Sequence, residues 1–181
     1  MSGPSIQAAE RDDPACDAGV LAPGHVCEFN GWRLVHRSGG CAVLPWRAQH
    51  LAAVAHQIET VPRGDLVPAA AFAQAVVRVS KGRAATYADL AHAWSAVRPG
   101  GRLLVAGGND VGITSWCRRV EGESGQKVEV LASHSHARVA ALARPERCPE
   151  VWIAGAGPAP GLFQGGGLDD GGEGDSGTGL G

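Results

Sequence analysis

The sequence predicts an α/β protein with an open, mostly parallel sheet that closes in a C-terminal antiparallel hairpin. Two patterns predict it. Between residues 70 and 124, strand-like apolar runs alternate with runs of helical period, the order that βαβ units require. The runs KVEVLASHS and ARVAALARP then follow with only a tight turn near His134 to His136 between them. That link is too short for a crossover helix, so the two strands pair antiparallel.

Taken in order, residues 1–24 are polar, acidic and punctuated by Pro and Gly, and are expected to form a flexible leader. In CEFNGWRLVHRSGGCAVLPW, the stretches Trp32 to His36 and Cys41 to Trp46 read as short strands joined as a hairpin through Arg37-Ser38-Gly39-Gly40. RAQHLAAVAHQIE reads as an amphipathic helix, because Leu51, Val54, Ala55 and Ile58 fall at i, i+3, i+4 and i+7. After the loop VPRGDLVP, AFAQAVVRV is expected to be a buried strand, its apolar run turning β-branched toward the end.

From Gly82 to Arg98 the residues Tyr87, Leu90, Ala91, Trp94 and Val97 keep helical spacing, Thr86 to Asp89 resembles a capping box, and Pro99-Gly100-Gly101 ends the helix. RLLVAGG is the next strand. Asn109 or Asp110 is expected to cap a second helix carrying Ile113, Trp116, Cys117 and Val120 on one face. VWIAGAGPAPG reads at first as a strand entering a phosphate-cradling glycine loop. Pro158 and Pro160 each remove a donor and push the preceding residue out of the helical region, so a linker is expected instead. Ten of the last 21 residues are glycine, too many for that segment to bury a core. The domains expected are a leader at 1–24, one α/β domain at 25–150, and a Gly-rich linker or the start of a further domain at 151–181.

With 181 residues, 44% hydrophobic and 19% charged, the chain suits one domain with a real core. The 27 glycines and 5% aromatics point to a core of Ala, Val and Leu. A net charge of −2 gives no global footprint for nucleic acid or anionic lipid, so any RNA contact rests on a local patch. No apolar run approaches the roughly 18 residues of a membrane span, and the N-terminus is unlike a signal peptide; a soluble, cytoplasmic protein is expected. The cysteines at 16, 27, 41, 117 and 148 form no CxxC pair, which disfavours a zinc ribbon or a disulfide framework. Reduced thiols are expected, with Cys117 in the core.

From Ala71 to Pro145, and above all in VRPGGRLLVAG, the order of a helix, a Pro-Gly-Gly turn, a strand, a helix and a final hairpin resembles the later half of the class I S-adenosylmethionine-dependent methyltransferase fold, which is Rossmann-like. GGNDVGITSW and APGLFQGGGLDDG further resemble two-domain ribosomal RNA guanine-N2 methyltransferases, in which a degenerate N-terminal domain precedes the catalytic one. Before Ala71 the match fades, so the fold is expected to be incomplete on its N-terminal side. An Asp-x-Gly-x-Gly-x-Gly-like donor loop is absent, and Val79-Ser80-Lys81-Gly82 stands where catalytic members carry Asn-Pro-Pro-(Tyr/Phe). The resemblance therefore implies the non-catalytic half: no catalytic residue, no cofactor bound by this chain, ribosomal RNA as a possible partner, and S-adenosylmethionine taken by a catalytic domain in cis. The alternatives are a self-sufficient small α/β enzyme binding S-adenosylmethionine or a nucleotide, and a truncated gene product without activity.

Three groups of residues are candidates for chemistry. Arg78, Lys81 and Arg83 gather at the C-terminal end of the AFAQAVVRV strand, where open α/β sheets bind ligands, and have the charge and reach to hold RNA phosphates. The plain alternative is a solvated loop. Gly107, Gly108, Asp110 and Gly112 follow a strand and open a helix, as a cofactor loop would, but equally suit a tight turn. His134 and His136, with Cys148 downstream, are soft ligands at a hairpin turn, and no metal is expected. Arg118-Arg119 reads as the polar face of its helix. Trp94 and Trp116 are expected in the core, while Trp32 and Trp46 are left open.

Overall fold

In the computed structural model, which describes residues 21, 25–134 and 136–157, seven strands form one sheet in the order β3-β2-β1-β4-β5-β7-β6. The strands are β1 (Val26–Phe29), β2 (Gly40–Val43), β3 (Glu59–Val61), β4 (Phe72–Arg78), β5 (Val97–Gly108), β6 (Glu129–His134) and β7 (Ala137–Ala143). Pairings from β3 through β5 are parallel, whereas β7 runs antiparallel to both β5 and β6. This is the mostly parallel sheet with an antiparallel edge that the sequence predicts, but the fold is not incomplete on its N-terminal side: β1, β2 and β3 are all present and pair parallel. The leader apart from Leu21, and the Gly-rich segment from 158 onward, lie outside the described residues.

The strands alternate their two faces with period two. Cys27, Phe29, Ala75, Val77, Leu103 and Val105 point into the larger core, where α3 (Arg83–Ala96), α4 (Ile113–Ser124) and α5 (Glu150–Gly155) pack. Val26, Val76, Leu104, Ala106 and Val139 face the other way, with Leu34 from α1 (Arg33–Ser38). Val35 of α1 and Ala53 of α2 (Arg47–Ala55) meet Ala42 and Leu44 in a third cluster. Helices thus cover both faces, as a parallel sheet requires. No helix among the described residues is long and apolar enough to cross a membrane.

Several expectations from sequence are corrected. Trp32 to His36 is not a strand, because residues 33–38 form α1; Leu34 and Val35, adjacent apolar residues, enter two different clusters from one and a half helical turns. The hairpin with Cys41 to Trp46 therefore does not exist, and β2 instead pairs parallel with β1, a strand that the polar Glu28 conceals in VCEF. Of the expected apolar stripe of α2, Leu51 is 56% and Val54 51% exposed; only Ala53 of the helix is buried, and Ile58, which does reach the third cluster, lies beyond the helix end. The edge strand beside it, β3, has only three residues, which leaves little sheet to cover such a stripe.

Capping differs as well. Asn109 and Asp110 do not cap α4; its N-cap is Gly112, at φ +77 in the left-handed region that glycine tolerates best, with no side-chain cap bond. Thr86 does not begin a capping box, since α3 starts from Gly82 and the Thr86 hydroxyl donates back to the Gly82 carbonyl at 3.1 Å. Finally, residues 150–155 form α5 rather than the start of a linker. Trp152 is fully buried, and its Nε1 donates to Glu123 Oε2 at 3.0 Å.

Candidate ligand-binding site

The strand order reverses between β1 and β4, and in open α/β sheets ligands bind at the carboxyl ends of the strands beside such a point. Here β1 ends in Glu28-Phe29 and passes through Asn30-Gly31-Trp32 into α1. Glu28 is fully buried. Its Oε2 accepts the backbone N–H groups of Leu34 at 2.9 Å and Val35 at 3.3 Å, which lie in the first turn of α1. Its Oε1 accepts from Arg78 Nε at the end of β4 at 2.7 Å, and Arg78 Nη2 lies at the same distance as an ion-pair contact. A carboxylate buried this deeply persists only when paired and hydrogen-bonded, and both conditions are met.

Asn30 closes the remaining space. It sits at φ +64, a left-handed conformation that Asn tolerates better than most residues. Its backbone N–H donates to the Val43 carbonyl at the end of β2, and its amide donates to the Arg78 carbonyl at 3.2 Å and to Asp89 Oδ2 at 2.7 Å. Burial pushes the Asp89 carboxyl up to about 6, opposed by the hydrogen bond from Asn30. These residues tie the ends of β1, β2 and β4 to α3.

A class I donor pocket needs two things at this place: glycines that let backbone N–H groups approach the ligand, and free donors at the helix start. Neither is present. A side-chain carbon on Gly31 would meet Arg78 Nε and Glu28 Oε1, so the room this glycine leaves is filled by the chain's own ion pair. The N–H groups of Leu34 and Val35 are taken by Glu28. At the end of β2, where an acid would hold ribose hydroxyls, Leu44 is buried. The described residues do not fit S-adenosylmethionine.

A second concavity lies one strand further along the same edge. A cleft of about 230 Å³ opens between the loop after β4 and the start of α4, lined by Ser80, Lys81, Arg83, Gly112, Ser115, Trp116 and Arg119, with Val111. The structure thus brings together Lys81, Arg83 and Gly112 from two of the sequence candidates, and adds Arg119. Arg78 is not with them, being engaged by Glu28. The Arg83 guanidinium carbon lies 5.6 Å from the Tyr87 ring centroid and that of Arg119 5.5 Å from Trp116, both within cation–π range.

The other glycine loop is a turn. Residues 109–111 form one 3₁₀ turn, with Gly112 N–H donating to the Asn109 carbonyl and Asn109 N–H to the His136 carbonyl. A side chain on Gly107 would meet Val79 and Val111, and one on Gly108 would meet Asp110. These glycines serve close packing within the loop. Among the described residues, no group of three His, Cys, Asp or Glu side chains is placed to hold a metal ion. Trp116 is 7% exposed, as expected of a core residue; Trp94 is half-buried and donates from Nε1 to the Pro145 carbonyl. Trp46 is 69% exposed, and Trp32 stacks on His56 at 4.9 Å. Cys27, Cys41, Cys117 and Cys148 are free thiols.

Sequence reasoning missed Glu28, Asn30, Asp89 and Arg119. For Glu28 a signal existed: one acid inside an otherwise apolar four-residue run, with an arginine closing a later strand.

No protein-family model matches the chain, and no curated protein matches it by sequence. Solved structures do match, and they define the class of fold. The Thermus thermophilus 16S rRNA N2 G1207 methyltransferase RsmC, solved with AdoMet and guanosine, superposes with a TM-score of 0.61 at 23% identity over 71% of this chain. The Burkholderia thailandensis 1,6-didemethyltoxoflavin-N1-methyltransferase does so at 0.55, with 15% identity over 78% of this chain and 80% of its own. An O-methyltransferase of Thermotoga maritima reaches 0.52 at 12% identity, over 71% of this chain and 62% of its own. The chain therefore has the Rossmann-like fold of the class I S-adenosylmethionine-dependent methyltransferases. It spans only 38% of the length of the T. thermophilus enzyme.

Proposed function

We propose that this chain is the non-catalytic N-terminal domain of a ribosomal RNA guanine-N2 methyltransferase-like protein, a scaffold that positions RNA for a catalytic domain in cis. Methyl transfer, with S-adenosylmethionine as donor, belongs to that other domain. One observation carries the reading: the place where the fold would take the donor is filled by the Glu28 to Arg78 ion pair and by the α1 N–H groups that Glu28 accepts. The loop after β4 supports it, since Val79-Ser80-Lys81-Gly82 has neither the side-chain amide nor the aromatic ring that would orient and stack a target base. In this reading the domain includes α5, so residues 150–155 belong to it and not to the linker.

Calorimetric titration of the chain with S-adenosylmethionine tests the first half of the proposal. No saturable heat is expected up to millimolar ligand. Stoichiometric binding in the micromolar range would overturn it and restore the alternative of a self-sufficient enzyme.

A further inference from the structure

We propose that the cleft between the loop after β4 and α4 is a seat for a backbone phosphate of RNA, held by Lys81, Arg83 and Arg119. This deepens the RNA-positioning reading above and rests on it. Three cations from two separate elements line one concavity, and no carboxylate lines it. The chain as a whole carries −2, so the local excess is not a by-product of a basic protein.

Two of the three cations are already oriented. Arg83 lies over the Tyr87 ring, and Arg119 lies over Trp116 while its Nη1 donates to the Tyr87 hydroxyl at 3.3 Å. Less side-chain freedom is then lost when they close on an anion. The nearest carboxylate, Glu123, is 3.9 Å from Arg119 Nη1, but it accepts from the Tyr87 hydroxyl at 2.6 Å and from Trp152 Nε1 at 3.0 Å. It holds the aromatic wall and leaves Arg119 only weakly neutralised. Gly112 adds open backbone, since a side-chain carbon built there would meet nothing within 4 Å.

Size and shape favour a polymer backbone over a free nucleotide. At about 230 Å³ the cleft lies below the roughly 300 Å³ at which small-molecule pockets begin. Trp116, its one aromatic lining residue, is 7% exposed with Arg119 over its face, so no base can stack on it. What remains is charge with reach, which suits a positioning contact that carries no base readout.

The test is fluorescence anisotropy with a labelled, mixed-sequence single-stranded RNA of about 16 nucleotides, titrated across a potassium chloride series. Each phosphate contact on a single strand contributes about −0.7 to the slope of log K against log salt, so three contacts give about −2. The double variant K81Q/R83Q is expected to weaken binding roughly tenfold at low salt and to flatten the slope by about 1.4. R118Q, on the exposed side of the same helix, is expected to change neither.

RNA binding by the wild type that K81Q/R83Q leaves unchanged, or that R118Q weakens equally, overturns the cleft while the RNA-positioning reading stands. No RNA binding by the wild type overturns both. Inorganic phosphate is the second probe. If it binds below millimolar concentration and loses that binding in K81Q/R83Q while RNA does not, the cleft takes a free anion and the proposal fails.

Discussion

Replacing Arg78 with methionine separates a structural arginine from an RNA-binding one. Glu28 has no exposed surface, and Arg78 supplies its countercharge, with Nε donating to Oε1 at 2.7 Å and Nη2 at the same distance in the ion pair. Removing one member of a buried pair costs about 3 to 5 kcal/mol, because the other charge is left uncompensated in a poor solvent for ions. The Arg78 side chain is 22% exposed, so water reaches part of the site and the lower figure, about 3 kcal/mol, applies. For an ordered body of this size, roughly 4 °C of melting temperature goes with each kcal/mol, which gives a drop of about 12 °C for R78M. E28Q keeps an oxygen for the α1 N–H groups and is expected to cost less. The coupling energy from E28Q, R78M and the double variant should be about 2 kcal/mol. The assay is urea denaturation followed by tryptophan fluorescence, with scanning calorimetry for the melting temperature. An ordinary surface contact would move stability by at most about 0.5 kcal/mol. If R78M melts within 2 °C of the wild type, or if the two substitutions are additive, the account of the β1 to β4 junction is wrong.

Asp89 gives a pH dependence. Burial raises its carboxyl from 3.8 to about 6, so across that interval the native state holds a proton that the unfolded chain has released. The stability it supplies is therefore complete below about pH 4 and is lost as the pH rises through about 6. D89N keeps an oxygen for Asn30 and should flatten that slope, gaining about 2 to 3 kcal/mol near neutral pH; denaturation midpoints of both proteins across about pH 4 to 7.5 decide it, and parallel curves would count against the assignment. Cys41 is pushed up to about 11, chiefly by burial, and Cys27 is raised further, also chiefly by burial. A thiol reagent at about pH 8 should leave both unlabelled in the native protein and label them on unfolding, read by peptide mass. W152A should cost about 3 to 5 kcal/mol, the usual loss for a fully buried tryptophan, and should release α5 from the domain. Limited proteolysis after residue 149 checks this, with no new cleavage there as the contrary result.

The second half of the fold was legible because its elements are long. β4 has seven residues, α3 fourteen and α4 twelve, enough for a period to show. The first half was not. β1 has four residues with an acid in the middle, β3 has three, and α1 has six whose two buried side chains enter different clusters. No window of that length distinguishes a helix from a strand. At the site, Lys81 and Arg83 could be placed because they follow a strand end. Arg119 could not, because its distance from Arg83 in the chain hides their sharing of one cleft. α5 was hidden by composition: the glycines and prolines after it spoke louder than Trp152, which alone of its residues is fully buried.

The junction at β1 also shows that the architecture of the sheet does not depend on what lies at its ligand end. The stability of a parallel sheet resides in strands buried on both faces, and the central strands β1, β4 and β5 have that burial whatever lies at their carboxyl ends. A donor site, by contrast, exists only if backbone N–H groups are left without protein partners. Glu28 takes those N–H groups, and the burial of Glu28 in turn requires Arg78. Each of these contacts makes the others necessary, so removing one destabilises the fold without opening a pocket. Taking out Glu28 and Arg78 together leaves a three-residue connection into a six-residue helix, with Gly31 as its single glycine where a nucleoside-wrapping loop needs several. E28A/R78M, which frees the α1 N–H groups as well as removing the ion pair, is accordingly expected to remain unable to bind S-adenosylmethionine by calorimetry; gain of binding in that variant would mean that the ion pair merely blocks a site the fold still contains.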